Sequence, residues 1–446
     1  MRVRKRAWRR LGVRRATAAL LVVGAGSAVA GLGASSSATA AGAHIASGIT
    51  IPSSSSIGTA PIVPPKVCGQ EATYTHTAAE QRLLATLPAA TRAAYNIWPF
   101  PIKPTPWANY KGVKGPWKIG YIDFPLVNAW QVHGLAQTKA DFAAAKKKGL
   151  VTGSLVTYIQ ASMATATPEQ QIAAVQQMVR QGVNGIILHS LDENAEAAAV
   201  DAAGKAGVPI VQPLGIMPTS KYSVNFAAHN FATGPTLAQL AKAGLANKPI
   251  NALYVRGVTS VAEDQAWDQS GLADLSACKN VTLLGTVVGA WSLPTAKSAI
   301  LTFLASHPQP IQLVVQDGSM AVAVIQAFQQ AGRPVPMIAM NNANAGELSY
   351  WDAHKSNYFS AGTTINGDQA HNTAFRILLR ILGGDGLKVR DVEVPSPTIT
   401  PANISSFACP GAGINSDAEA CSPLNFYGSN SELNGYFAKP GTPGGI

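Results

Sequence analysis

The sequence predicts an α/β fold of two Rossmann-like lobes, each a parallel sheet flanked by helices, and three observations carry that prediction. From Gly115 to Leu214, short apolar runs alternate with longer amphipathic ones: WKIGYIDF, QVHGLAQTKADFAAAKKKG, SLVTYIQA, TPEQQIAAVQQMVRQG, NGIILHS, NAEAAAVDAAGKAG and VPIVQPL. Brief stretches rich in Val and Ile, separated by helical periodicity, are buried parallel strands joined by crossovers. The same order returns in the second half, with INALYVRG, VTLLGTVVGA, IQLVVQDGS and VPMIAMNN as strands. Finally, 446 residues exceed what one hydrophobic core supports.

Composition and charge narrow the function classes. The apolar share is 47% and the charged share 13%, enough for a sizeable core. The net charge of +11 is local: residues 1–15 hold eight of the 34 Lys and Arg and no acid, leaving 26 basic against 23 acidic residues elsewhere. A body so nearly neutral offers no surface for tracking phosphates, so nucleic acid is not an expected partner. The basic residues belong to an export signal over 1–40. MRVRKRAWRRLGVRR is its basic part, ATAALLVVGAGSAVAGLGA its apolar part, and Ala38-Thr39-Ala40 its cleavage site. The expected location is extracellular, periplasmic or at the cell surface. Cys68, Cys278, Cys409 and Cys421 all lie beyond that site, and in an oxidising compartment two disulfides are expected among three possible connectivities. The favoured pairing closes Cys409 with Cys421 around PGAGINSDAEA and ties Cys68, in the N-terminal extension, to Cys278 in the body.

Taken in order, residues 41–114 are a spacer and an extension rich in Pro and aromatics. Residues 41–66 lack periodicity and read as a flexible spacer. Residues 76–95 are helical with Pro88 interrupting, and NIWPFPIKPTPWANYKGVKGPW crosses the surface. Lobe one is expected over 115–228 plus 358–400, lobe two over 229–357, and a loosely structured, disulfide-containing tail over 401–446. The second crossover helix starts at Thr167 as N-cap, with Pro168 in the first turn and Gln170 closing a capping box. Ile172, Val175 and Val179 form its stripe and Gly182 ends it; Asn194 is the expected cap of the next helix. In lobe two the helices are NFATGPTLAQLAKAGL, VAEDQAWDQSGLADLSAC, LPTAKSAILTFLASHP and MAVAVIQAFQQAG. After Tyr358, FSAGTTING reads as a strand returning to the hinge. DQAHNTAFRILLRILGG is a helix packed on lobe one through Ala370, Ala374, Ile377 and Leu378, and VEVPSPTIT makes the last crossing.

KIGYIDFPLVNAW, VNGIILHSLDENA, AGVPIVQPLG, VQDGSMAVAVIQAFQQAG and VPMIAMNNANAG, in this order and spacing over about residues 115–400, resemble the type I periplasmic binding proteins. The likeness is to the ribose- and galactose-binding branch, which delivers solutes to ABC transporters. It implies a trap of two lobes on a multi-crossing hinge, closing over a small-molecule solute for a membrane permease, with neither catalysis nor cofactor, as a monomer. It also implies a ligand site at the C-terminal ends of the strands. Phe124, Asn128 and Trp130 follow the first strand, and Trp291 stands where sugar-binding members carry an aromatic for the opposite ring face. Asp317 and Asn341 stand where members accept hydroxyl protons, and Asn230 marks the entrance to lobe two. Asp317 also has a plain structural role open to it, as N-cap of SMAVAVIQAF.

Two departures from the sugar-binding pattern bear on the solute. Pro213-Leu214 stands where relatives carry an Asp-Arg pair, and Glu263 stands where they carry an Arg. Neither Leu nor Glu replaces a guanidinium fork, so a usual pentose or hexose loses ground to a less polar or cationic solute. Glu263 and Asp264 also suit the first turn of their helix. His133, His189 and His229 lie near strand ends, but no Gly-x-Ser-x-Gly elbow, His-Glu-x-x-His or cysteine nucleophile accompanies them, so cleft or hinge hydrogen bonding is expected. A nicotinamide-dependent enzyme would need a Gly-x-Gly-x-x-Gly turn where the chain has Asp123 to Asn128. A transcription regulator would need a DNA-binding head where it has an export signal. A surface receptor signalling to a sensor protein stays open beside transport.

Overall fold

A computed structural model describes residues 49–229, 236, 237, 239, 240, 248–396, 398–422 and 428–441. The export signal, Asn230 and most of the helix expected over 230–245 lie outside them.

The first sheet is built from β1 (Ile119–Asp123), β2 (Val156–Ile159), β3 (Gly185–Leu188), β4 (Ile210–Pro213) and β5 (Ser223–His229). The second holds β6 (Ile250–Arg256), β7 (Val281–Val288), β8 (Leu313–Gln316), β9 (Met337–Met340) and β10 (Ala361–Thr363). The chain then crosses back to give β11 (Asp391–Pro395) to the first sheet and β12 (Thr398–Ile399) to the second. The orders are β11-β5-β4-β3-β1-β2 and β12-β10-β9-β8-β6-β7. All neighbours are parallel except β10 and β12. The two α/β lobes expected from the sequence are therefore present.

One boundary moves. The strand expected to return to lobe one after Tyr358 instead continues the second sheet, with Ala361 opposite Ala339 in β9. An apolar strand left beside an unfilled parallel edge pairs there before the chain leaves. The crossing comes after Thr363, and α8 (Gly367–Leu382) packs on the first lobe with Ala370, Ala374, Ile377 and Leu378 buried.

The remaining helices are α1 (Ala129–Lys147), α2 (Pro168–Arg180), α3 (Glu193–Lys205), α4 (Ala262–Ser276), α5 (Leu293–Ser306), α6 (Ala321–Gln330) and α7 (Ala345–His354), the last not foreseen from the sequence. At α2 the Gln170 side chain accepts from the Thr167 N–H at 3.3 Å. Its buried face runs through Ala174, Val175 and Met178, a small rotation from the predicted stripe, because Met178 fills the space above Gly120 of β1. The cap of α3 is Asp192, whose Oδ1 accepts from the N–H groups of Asn194 and Ala195 at 3.1 and 3.0 Å; Asn194 lies inside the helix. No helix among the described residues is long and apolar enough to cross a membrane.

The described parts of the spacer and of the tail are structured, against expectation. Within the predicted flexible spacer, Ile49 is fully buried, Ser54–Ile57 is helical, and Ile62–Val63 pairs with Thr73–Tyr74. Gln269 of α4 holds this segment, donating to Pro52 O at 3.0 Å and accepting from the Thr59 hydroxyl at 2.8 Å. The Cys68–Cys278 disulfide fastens it to lobe two. Further on, Tyr95, Trp98 and Phe100 are fully buried, and Trp107 Nε1 donates to Tyr222 O of lobe one at 2.8 Å. The extension thus spans both lobes. So does the tail: its Cys409–Cys421 loop caps α7 of lobe two through Ser416 and Ala418, whose carbonyls accept from Gly346 and Ala345. Beyond it, α9 (Asn430–Tyr436) docks on α8 of lobe one, where Arg380 lies 3.9 Å over the Phe437 ring. Both disulfides have the favoured connectivity.

Replacing Cys68 and Cys278 together by Ser is expected to cost about 2–5 kcal/mol, since the bridge closes a long loop. Urea unfolding that shows no loss against the wild type would mean the extension is held by packing alone.

Candidate functional site

The C-terminal ends of both sets of strands face one another across a narrow cavity of about 40 Å³. Lobe one lines it with Phe124 after β1, Asn128, Trp130 and Gln131 at the start of α1, His189 after β3 and Leu214 after β4. Lobe two contributes Glu263 and Trp267 of α4, Trp291 after β7, Gly318 and Ser319 after β8, and Asn342 after β9.

The aromatic walls are set by local geometry. In lobe one, His189 stands 4.4 Å from Phe124 and 5.0 Å from Trp130, centroid to centroid. The imidazole is oriented by Asp123, whose Oδ1 lies 3.0 Å from Nδ1; the same carboxylate accepts from Gln131 Nε2 at 3.2 Å and Tyr121 OH at 2.7 Å. Behind them Tyr121 OH reaches His371 Nε2 at 3.2 Å, and burial pushes His371 down to about 4, which keeps it neutral. In lobe two, Ala290 and Trp291 both have left-handed backbone, φ 53° and 51°, which turns the indole back across the strand ends. It packs against the α-carbons of Gly257 and Gly318, where an added Cβ would fall 2.0 and 2.6 Å from the ring. Trp267 meets it edge to face at 6.2 Å.

Of the residues singled out from the sequence, Phe124, Asn128, Trp130, Glu263 and Trp291 line the cavity. Asp317 and Asn341 stand one shell deeper: Asn341 Nδ2 and Tyr254 OH both donate to Asp317 Oδ1, at 2.9 and 3.1 Å. The residues that follow them, Gly318 and Asn342, take the lining positions instead. Asp317 is not the cap of α6 either, since that helix begins at Ala321 and Met320 precedes it. Asn230 and the His229 side chain lie outside the description. Of the remaining histidines, His133 lies 2.7 Å from Glu419 of the tail and takes no part in the cavity. Gln131, Trp267 and Ser319 were missed. The helical spacing of Glu263 and Trp267, which puts both on one face of α4, was the available signal.

The lobes also touch directly around the cavity. Asn128 Nδ2 donates to Trp291 O at 3.2 Å, and the Ala262 N–H at the start of α4 donates to Glu193 Oε2 of α3 at 3.0 Å. A first-turn amide of one lobe is thus satisfied by a carboxyl of the other. Acids dominate the surroundings. Arg256 is taken up by Asp264 at 2.6 Å and Asp268 at 3.5 Å. Burial pushes Glu193 up to about 8, and it pushes Asp317 and Glu263 well above the carboxylate range, with neighbouring carboxyls adding to the rise. Glu263 Oε1, Asp317 Oδ2 and Trp291 Nε1 are buried without a hydrogen-bond partner among the described residues. No cluster of His, Cys, Asp or Glu there is arranged to hold a metal ion.

Comparison with known proteins follows the same line. A model described as periplasmic binding protein domain matches residues 126–386. The chain is similar to an ABC transporter solute binding protein from Thermobispora bispora: 21% identity, TM-score 0.58, covering 67% of this chain and 90% of that one. An ABC transporter solute binding protein from Mycobacterium smegmatis with bound glycerol shares 18% identity at TM-score 0.58, over 69% of this chain and 100% of that one. A Rhizobium meliloti protein named, provisionally, as rhizopine-binding is 20% identical over 244 residues, 53% of this chain and 78% of that protein.

Because the fold favours protonated Glu193, and also Glu347, pushed up to about 8 by burial, their contribution to stability is full below the ordinary value of 4.5 and is lost as pH rises through about 8. Melting temperature should therefore fall from mildly acid to mildly alkaline pH, and Glu193→Gln should flatten the slope. An identical slope in that variant would remove Glu193 as a contributor.

Proposed function

The chain belongs to the periplasmic binding protein family, and we propose that it works outside the cytoplasm as a solute receptor, closing on a small ring-shaped molecule and presenting it to an ABC permease. One observation carries this reading: the lining of the cavity combines aromatic side chains from both lobes with buried polar atoms that have no partner among the described residues. Aromatic faces supply apolar burial for a ring, and the polar groups fix its orientation. Groups left without partners in the dry cleft cost free energy until a solute meets them, so a matching solute favours the closed arrangement over an open one. The proposed ligand-binding set is Phe124, Asn128, Trp130, Glu263 and Trp291 at the surface of the cavity, with Asp317 and Asn341 behind; Asn230, the remaining candidate, lies outside the described residues.

The reading is one of binding without chemistry. His189 is held by Asp123 as part of a wall, and the chain turns from β1 into α1 through Pro125, which offers no phosphate-binding glycine turn. Related solved proteins with glycerol and with myo-inositol bound favour a polyhydroxylated or other cyclic compound over an extended peptide. The chain is proposed to act as a monomer, since the trap is complete within one copy. A receptor that reports to a sensor protein would use the same closure.

Trp291→Ala is expected to weaken the solute about tenfold or more while leaving the circular dichroism unchanged, and Trp130→Ala to do the same. Thermal-shift screening of sugars, polyols, nucleosides and amines identifies the solute, and small-angle scattering should then show compaction on binding. Undiminished affinity in both variants would dismiss the aromatic walls as the binding surface.

A further inference from the structure

Resting on the solute-receptor reading, we infer that the solute is a cation, a ring compound bearing an ammonium group, and that Glu263 is the residue that selects it. Glu263 is 3% exposed, lines the cavity, and its Oε1 has no hydrogen-bond partner among the described residues. The same cavity is lined by Trp267, one turn along the same helix, by Phe124 and Trp291 from the strand ends and by Trp130 from the start of α1. A carboxylate in an aromatic-lined cavity suits an ammonium ion, because aromatic faces and the carboxylate both attract positive charge.

The charged groups facing Glu263 point the same way. Glu193 of α3, Asp264 of its own helix, Glu393 of β11 and Asp317 after β8 all act on it as like charges. The guanidinium of Arg256 is already bound to Asp264 and Asp268. On the lobe-one side the basic group is His189, engaged by Asp123. With a neutral solute Glu263 stays protonated in the buried cleft; a cation beside it offsets the cost of the charge and allows it to ionise. Where the sugar-binding pattern has an arginine fork, the chain therefore presents the opposite charge.

The experiment is calorimetric titration of the purified protein with matched pairs that differ in one group: cyclohexylamine against cyclohexanol, and glucosamine against glucose. Expected is a preference of about tenfold or more for an amine over its hydroxyl partner. For cyclohexylamine, which stays charged over the range, that preference should grow as pH rises from about 6 to 8, because the bound state requires the Glu263 proton to leave. Titration in buffers of different ionisation enthalpy should show that proton released. Glu263→Gln should abolish both the preference and the proton release. Equal or tighter binding of the hydroxyl compounds, or an amine preference that survives Glu263→Gln, overturns the cationic solute and leaves the receptor reading standing. If Glu263→Gln fails to fold, wild-type binding without proton release overturns it equally. Binding of no compound in the panel or in the wider solute screen would remove both.

Discussion

Parallel strands expose neither face of their sheet to water, and this constraint organises the molecule. Each of its two sheets takes helices on both sides, so the surface left for recognition is the edge where strands end. The chain sets the two C-terminal edges against each other. The side chains after β1, β3, β4, β6, β7, β8 and β9 then meet in one cavity. Asp123 shows the consequence at the level of one residue. Fully buried at the end of β1, it is kept by donors from Tyr121, Gln131 and His189, and in return it fixes the wall of the cleft.

Closing such a cleft brings acids together, and the cost is met unevenly. Asp264 and Asp268 share Arg256; Glu193 finds an amide across the cleft; Glu263 keeps an oxygen without a partner among the described residues. The first ties α4 to its own sheet and the second joins the two lobes, whereas the third faces the cavity. Polar groups that a protein leaves unsatisfied in its interior concentrate where something else is meant to supply the bond. The strained backbone at Ala290 and Trp291 belongs to the same region, and the two glycines beneath the indole make that placement possible.

Outside the cleft, the extension and the tail each run from one lobe to the other. The extension is anchored by the Cys68–Cys278 bridge on lobe two and by Trp107 on lobe one; the tail, by the Cys409–Cys421 loop and by α9. Relative motion of the lobes must therefore be accommodated by these straps as well as by the three crossings between the sheets.

The order of strands and helices, the repetition that makes two lobes, and the aromatic and acidic residues at the strand ends were legible in the chain by itself. Burial periodicity and turn chemistry are local, and they act within a few residues of the position they describe. Tertiary structure decided the rest. It placed Ala361–Thr363 in the second sheet, because an unpaired strand edge was there to receive it. It turned Asp317 toward Tyr254 and Asn341 and gave the cavity Gly318, Ser319 and Asn342, a choice set by one residue of rotation after a strand. It ordered the described parts of the spacer and the tail, whose sequences lack periodicity because their partners lie in distant lobes. The cap that Glu193 lends to Ala262 is of the same kind: either residue alone reads as part of an ordinary first turn, and only the approach of the two lobes makes them partners.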